Sequence, residues 1–115
     1  MTNIRDREKE LLHNCTFATV PPFPKNILVE VVNDCNHRCI FCAINKMTRK
    51  RTAIAPELFE KVIVEGHALG AREIGLYSDG EPMLCPTLED YIRRSKEIGF
   101  SYVYMSTNGT ACNET

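Results

Sequence analysis

The sequence lacks both an excess of one charge sign and a long apolar run. Its 14 lysines and arginines stand against 15 aspartates and glutamates, for a net charge of -1. This balance excludes the broad positive field of a nucleic-acid coat or a polybasic membrane binder. Apolar runs such as residues 27–32 are far too short to span a bilayer, and the charged amino end carries no apolar signal segment. We therefore expect a cytoplasmic protein with no membrane and no nucleic-acid partner.

The composition of a disordered tail is absent as well, because 43% of the residues are hydrophobic and 25% are charged. There is also no internal repeat and no low-complexity segment. We expect two parts along the chain. Residues 1–24 form an arm with a short solvated helix at residues 5–12 and a proline-rich connector, and residues 25–115 form the core domain.

Three apolar segments predict strands, at residues 27–32, 73–77 and 100–105. Helical spacing between them predicts two helices, which begin at Pro56 and after Thr87 and end at Gly70 and Gly99. The order strand, helix, strand, helix, strand predicts an α/β fold with a parallel βαβαβ sheet. The loops that follow parallel strands share one edge of the sheet, where ligands bind. That edge is the expected site.

Six cysteines in a chain without a secretion signal do not predict a disulfide framework. Three stand alone and are expected to be small buried hydrophobic residues: Cys15, Cys85 and Cys112. The other three crowd into the loop after the first strand with the spacing C-x3-C-x2-C, as Cys35, Cys39 and Cys42. Three thiolates this close indicate one soft metal centre.

The number of ligands narrows the choice of metal. A structural zinc site needs a fourth ligand, such as His37 or Cys15, and the sequence has no second cysteine pair. A ferredoxin-type cluster needs four cysteines. Three ligands on a four-iron cluster leave one iron open, which implies a small chelating ligand. A zinc knuckle stays the alternative.

At this point the residues resemble a known family. CNHRCIFC is similar to the CxxxCxΦC signature of the radical S-adenosylmethionine (radical SAM) superfamily, with Phe41 at the aromatic position. Residues 78–82, Ser-Asp-Gly-Glu-Pro, resemble the family's Gly-Gly-Glu-Pro motif, with Asp79 in place of the first glycine. Residues 106–109, Ser-Thr-Asn-Gly, resemble its Thr-Asn-Gly segment.

The resemblance implies a role for each matching residue. Cys35, Cys39 and Cys42 would hold three irons of a [4Fe–4S] cluster, and S-adenosylmethionine would chelate the fourth. The cofactor-binding residues would be Phe41 beside the adenine, the loop of Asp79, Gly80, Glu81 and Pro82 near the methionine amino group, and the polar side chains of Ser106 and Asn108. Reductive cleavage by the cluster would release a 5′-deoxyadenosyl radical that abstracts hydrogen from an unknown substrate. The electron donor would be a flavodoxin or ferredoxin.

The resemblance also implies a larger fold. Cores of this family are partial barrels of six β/α units, and only three strands are visible here. We therefore expect a truncated fragment, or a half that associates with another chain through its open sheet edges. The alternative function is a non-enzymatic module that binds an iron–sulfur cluster (or zinc) or transfers electrons, in which Cys15, Cys85 or Cys112 caps the open iron.

A basic stretch follows the cysteines, with four basic residues in residues 46–51. We expect a solvated loop, in a position that would also suit an anionic substrate or the carboxylate of the cofactor. The stretch resembles the K/R-M-T-R segment of the SPASM and molybdenum-cofactor-synthesis branch of the family.

Overall fold

The sheet consists of three short parallel strands, and a helical crossover connects each strand to the next. The computed structural model describes residues 3–13 and 17–113. The helices are α1 (Ile4–His13), α2 (Pro56–Leu69) and α3 (Leu88–Ile98), and the strands are β1 (Asn26–Leu28), β2 (Glu73–Gly75) and β3 (Tyr102–Tyr104). Two 3₁₀ turns lie in the loops after β1 and β2, at Ala43–Lys46 and Pro82–Leu84.

The strand order confirms the predicted α/β class. β1 pairs with β2 and β2 with β3, both in parallel, so that Ile27, Ile74 and Val103 lie side by side. Sequential order in a parallel sheet is the arrangement of one segment of a β/α barrel. The three loops that follow the strands therefore emerge at one edge.

The strands are shorter than the sequence predicts, and in the first strand residues 29–32 lie outside the observed strand. After Leu28 the parallel ladder continues for only one more hydrogen bond, from Val29 N to Gly75 O (2.8 Å). Val32 then forms an antiparallel bridge with Ala53, and Ile54 N donates to Val31 O (2.9 Å). The chain after the cysteines thus folds back on the end of β1, which apolar patterning does not indicate.

The core lies between one face of the sheet and the two crossover helices. Ile74 is fully buried and packs with Phe59 and Ile63 of α2. The ring of Phe59 stacks on Tyr91 of α3, with the ring centroids 4.0 Å apart. The helical spacing predicts an apolar stripe on each of these helices. It is confirmed as core except at Leu58 and Leu69 of α2, which are exposed.

Two glycines end the crossover helices as predicted. Gly70 has φ 122° and Gly99 has φ 115°, in the region where side chains other than glycine are strained. The predicted cap at Thr87 is only partly correct. Thr87 occupies the N-cap position of α3, but its side chain makes no capping hydrogen bond.

The amino-terminal helix contacts the start of the sheet through a polar side chain. α1 buries none of its residues, as expected of a solvated helix. Its Arg7 pairs with the Glu73 carboxylate and places its guanidinium 3.9 Å from the centroid of the Tyr102 ring. Within the described residues, no helix is long and apolar enough to cross a membrane.

Tyr91 links α3 to the segment that folds back on β1. Its hydroxyl donates to Ile54 O (2.8 Å), and the side chain is buried. We expect Tyr91→Phe to lower the free energy of unfolding by about 1–2 kcal/mol, because the partly buried carbonyl of Ile54 loses its donor. Urea unfolding measures this. Tyr102→Phe, which removes a hydroxyl from a more exposed ring, serves as the control and should change stability by less than about 0.5 kcal/mol. Equal effects of the two substitutions would contradict the role of the Tyr91 hydroxyl.

Candidate functional site

The cysteine loop begins at the end of the first strand's extended segment. Asp34 starts it, and its Oδ1 accepts a hydrogen bond from Cys35 N (2.9 Å). The loop turns at Cys39 and Cys42, where Cys42 N donates to Cys39 O (3.1 Å). The following 3₁₀ turn is anchored by Ile44, which is buried. Both ends of the loop are therefore held by the protein.

The middle of this loop is open. Residues 36–41 are all exposed, and the Phe41 ring is 89% exposed. Cys39 is exposed, Cys35 and Cys42 are half-buried, and none of the three is in a disulfide. Among the described residues, no three histidine, cysteine or acidic side chains are gathered closely enough to hold a metal ion. The three thiols share a loop but do not converge on one point.

The loop after β2 approaches the end of β1 closely, and Gly80 permits this. A Cβ at Gly80 would lie 2.0 Å from Val32 O and 2.9 Å from Asp34 O. The next residue, Glu81, donates its backbone N–H to Asp34 O (2.8 Å). Asp79, which precedes Gly80, is exposed. The close approach therefore requires glycine at the second position of the Gly-Gly-Glu-Pro motif, where this sequence has Gly80.

Glu81 is the buried centre of the site. Its side chain is 3% exposed, and its carboxylate accepts three hydrogen bonds. The donors are Thr107 Oγ1 (2.5 Å), Asn108 N (2.7 Å) and Met83 N (3.1 Å). Burial alone would raise the pKa of Glu81, but these donors outweigh it and hold the pKa below its usual range. The carboxylate therefore joins the loops after β2 and β3.

The loop after β3 reaches from Glu81 to the cysteine loop. Asn108 Nδ2 donates to Asn36 Oδ1 (2.8 Å) and lies 3.9 Å from Cys35 Sγ. Thr110 Oγ1 lies 2.9 Å from Nε2 of His37, a hydrogen bond whose direction depends on the histidine tautomer. All three motif loops are thus joined in one hydrogen-bond network.

The structure brings together Asn108, Gly80, Glu81 and the start of the cysteine loop. Pro82 is buried behind Glu81, whereas Ser106 is exposed at the end of β3. Thr107 was not singled out from the sequence, although it lies inside the Thr-Asn-Gly segment. Its hydroxyl makes the shortest contact to Glu81.

The isolated cysteines behave differently from one another. Cys85 is buried, with Sγ 3.6 Å from Thr87 Oγ1, as predicted for a small core residue. The same prediction is wrong for Cys112, which is exposed on the loop after β3. It follows a turn closed by Cys112 N donating to Gly109 O (3.1 Å), where no strand or helix buries it. Cys15 lies outside the described residues.

Comparison with known proteins identifies the family. The sequence profile of the Radical SAM superfamily matches residues 29–115. The chain belongs to the radical SAM superfamily. Its predicted cofactors, a [4Fe–4S] cluster and S-adenosylmethionine, are those that members of this superfamily bind.

Individual relatives agree with this assignment. The chain is 29% identical over 85 residues to a probable GTP 3′,8-cyclase of Methanothermobacter marburgensis, covering 74% of this chain and 28% of that protein. It is 32% identical over 85 residues to a probable GTP 3′,8-cyclase of Sulfurisphaera tokodaii, covering 74% and 27%. The solved structure of BtrN, in complex with AdoMet and 2-DOIA, superimposes with a TM-score of 0.71 at 27% identity, covering 78% of this chain and 38% of that one. The radical SAM chain thus spans little more than a quarter of the length of the two cyclases.

The buried Glu81 carboxylate should make stability depend on pH. We expect Glu81→Gln to lower the free energy of unfolding by about 2–3 kcal/mol at neutral pH. In glutamine one of the two carboxylate oxygens becomes an NH2 group, which cannot accept a hydrogen bond from the donors that face it. Since the folded-state pKa of Glu81 is lowered, its ionised form stabilises the fold above the ordinary glutamate pKa. That contribution is lost as the pH falls through the folded-state pKa. The difference between wild type and Glu81→Gln should therefore shrink in acid.

Urea unfolding at neutral and acidic pH checks this. Glu8→Gln, on the exposed helix α1, is the matched control and should have little effect at either pH. A gap between wild type and Glu81→Gln that stayed constant with pH would show that the ionised carboxylate is not what stabilises the site.

The close approach at Gly80 gives a second test. Gly80→Ala should cost about 3 kcal/mol or more, because the added methyl group meets a backbone carbonyl that no rotamer change can move. Ser78→Ala, in the same loop, is the control. Thermal and urea unfolding compare the two variants. If Gly80→Ala were as stable as Ser78→Ala, the contact of this loop with Val32 would be wrong.

Proposed function

We propose that this chain carries the cofactor-binding part of a radical SAM enzyme. The observation that supports it most is the joining of three motif loops at one sheet edge through the hydrogen bonds of Glu81 and Asn108. In this proposal Cys35, Cys39 and Cys42 ligate a [4Fe–4S] cluster, and S-adenosylmethionine binds at the iron that they leave open.

The donor set fits such a cluster. Three free thiols lie within one loop, and exposed residues 36–41 let that loop adjust around a metal centre. When bound, this pair of cofactors supplies one-electron cleavage of S-adenosylmethionine to methionine and a 5′-deoxyadenosyl radical, which takes a hydrogen atom from substrate. The protein supplies ligation, orientation and exclusion of water.

The other site residues differ in whether their side chains are already hydrogen-bonded within the protein. The Glu81 carboxylate is occupied by three protein donors, so we assign contact with the methionine amino group to the backbone around Gly80 and Pro82. The exposed Phe41 ring is available to pack against the adenine. The exposed side chains of Asp79 and Ser106 are polar contacts for the cofactor or for substrate. Asn108 is also exposed and would exchange its hydrogen bond to Asn36 for such a contact.

We further propose that residues 25–115 form part of a larger radical SAM core. The two cyclases are more than three times as long as the matched segment, and β1 and β3 each leave one edge without a strand in the described residues. Substrate contacts, the choice of electron donor and any association through the open edges would then depend on surfaces beyond this three-stranded sheet.

One observation favours the alternative of an electron-transfer module. Cys112 is exposed and lies two residues after Thr110, which contacts His37 in the cysteine loop. A fourth thiolate from Cys112 would complete the cluster and leave no open iron. The two functions therefore differ in what Cys112 does.

Anaerobic reconstitution with iron and sulfide separates these functions. Wild-type protein should bind about four irons per chain, and Cys39→Ala should lose most of this iron and the visible absorption. Cys112→Ala should keep the iron, the spectrum and the release of 5′-deoxyadenosine from S-adenosylmethionine with dithionite. Loss of iron or a changed spectrum in Cys112→Ala, with no cleavage by wild type, would support the electron-transfer module instead. Zinc without iron in anaerobically purified protein would contradict both.

A further inference from the structure

The last arginine of the basic stretch, Arg51, contacts both ends of the cysteine loop. The side chain of Arg51 is 34% exposed, and its guanidinium makes three hydrogen bonds. Nη1 donates to Asn33 O (3.3 Å) and Asp34 Oδ1 (3.2 Å), and Nη2 donates to Ile44 O (3.1 Å). Arg51 is exposed, as expected of a solvated loop, but its guanidinium is bound to the protein on three acceptors.

These acceptors lie on the two sides of the cysteine triplet. Asn33 and Asp34 come directly before Cys35, and Ile44 comes two residues after Cys42. A guanidinium is planar and directs its donors in a fixed fork, so it sets the distance between the groups that it bridges. Arg51 thus joins the beginning of the loop to its end.

Arg51 is itself held in place by the buried side chain of Asn33. Asn33 Nδ2 donates to Lys50 O (2.9 Å), and its Oδ1 accepts from Thr52 N (2.6 Å). Asn33 N donates to Thr52 O (3.1 Å), next to the bridge between Val32 and Ala53. The residues on both sides of Arg51 are therefore fixed to the end of β1.

The contact with Asp34 connects this arrangement to the other loops. Asp34 Oδ1 accepts from both Arg51 and Cys35 N, and Asp34 O accepts from Glu81 N (2.8 Å). A second arginine, Arg38, also contacts the cysteine loop, through Cys35 O (2.7 Å). Arg38 lies inside the loop, so it cannot tie the loop's ends to the sheet.

We propose that Arg51 is a positioning residue that holds the two ends of the cysteine loop at the separation in which three thiolates close on one cluster. This inference rests on the proposed function. The guanidinium also places a positive charge beside a loop that becomes anionic when its cysteines ionise. Neighbouring residues of this kind change metal affinity by about 10- to 100-fold.

The metal-free protein provides the first test. In Arg51→Ala, alkylation of the half-buried Cys35 and Cys42 by a maleimide should be several-fold faster than in wild type, whereas the exposed Cys39 should react at an unchanged rate. Peptide mass spectrometry resolves the three sites. Lys50→Ala removes a neighbouring exposed charge and should react like wild type. This measurement does not depend on whether a cluster binds.

The loaded protein provides the second test. Arg51→Ala should lose its cluster to an iron chelator about 10-fold faster than wild type and Lys50→Ala, with altered g values in the EPR spectrum of the reduced cluster. Arg51→Lys keeps the charge but not the fork, so it should restore the Asp34 contact alone and fall between the two. Circular dichroism verifies that each variant is folded, and Arg51→Lys provides the comparison if Arg51→Ala is not.

Each outcome bears on one proposal. A wild-type protein that does not load a cluster overturns the proposed function, while the alkylation rates still test the role of Arg51. Folded Arg51 variants that match Lys50→Ala in alkylation, cluster loss and EPR spectrum overturn the inference. An Arg51→Lys variant that matches wild type throughout would show that charge alone acts, which contradicts the positioning role.

Discussion

The buried carboxylate of Glu81 is the interaction on which the site depends. Burying a carboxylate is costly unless its oxygens are satisfied, and three donors satisfy this one. Two of the donors, Thr107 and Asn108, belong to the loop after β3, so the cost of burial is offset only when that loop lies against the loop after β2. Asn108 is thereby placed to reach Asn36. One ionised group thus determines how the third loop meets the first.

The close approach at Gly80 makes this geometry possible. The chain after β1 turns away at Val32 to pair with Ala53, which leaves the carbonyls of Val32 and Asp34 at the sheet edge. Only a residue without Cβ fits against them, and Gly80 lies directly before Glu81. The backbone contact from Glu81 N to Asp34 O then links the cysteine loop to the same carboxylate-centred network. Strands of three residues suffice because these loop contacts continue the association of the strands beyond the ladder.

Much of the fold could be predicted from the sequence, because apolar patterning reports which faces are buried. The three strands, both crossover helices and their terminal glycines Gly70 and Gly99 follow from it. Patterning does not report which polar group pairs with which over long separations. The partners of Glu81 and of Arg51 are of this kind. The exposure of Cys112 and the antiparallel bridge after β1 likewise depend on how the loops fold. The motifs identify the loops that form the site, but the contacts between these loops are seen only in the folded chain.

The cysteine loop combines fixed ends with an exposed middle, and this division suits its proposed chemistry. Thiols must lose their protons and converge when a metal binds, so ligands that are locked in place before binding are not required. Ordering a loop costs conformational entropy, and the cost falls when the ends are already at the right separation. Arg51, Asp34 and Ile44 set those ends, while residues 36–41 are exposed and free to adjust. The free energy needed to gather the thiolates is then confined to the segment that carries them.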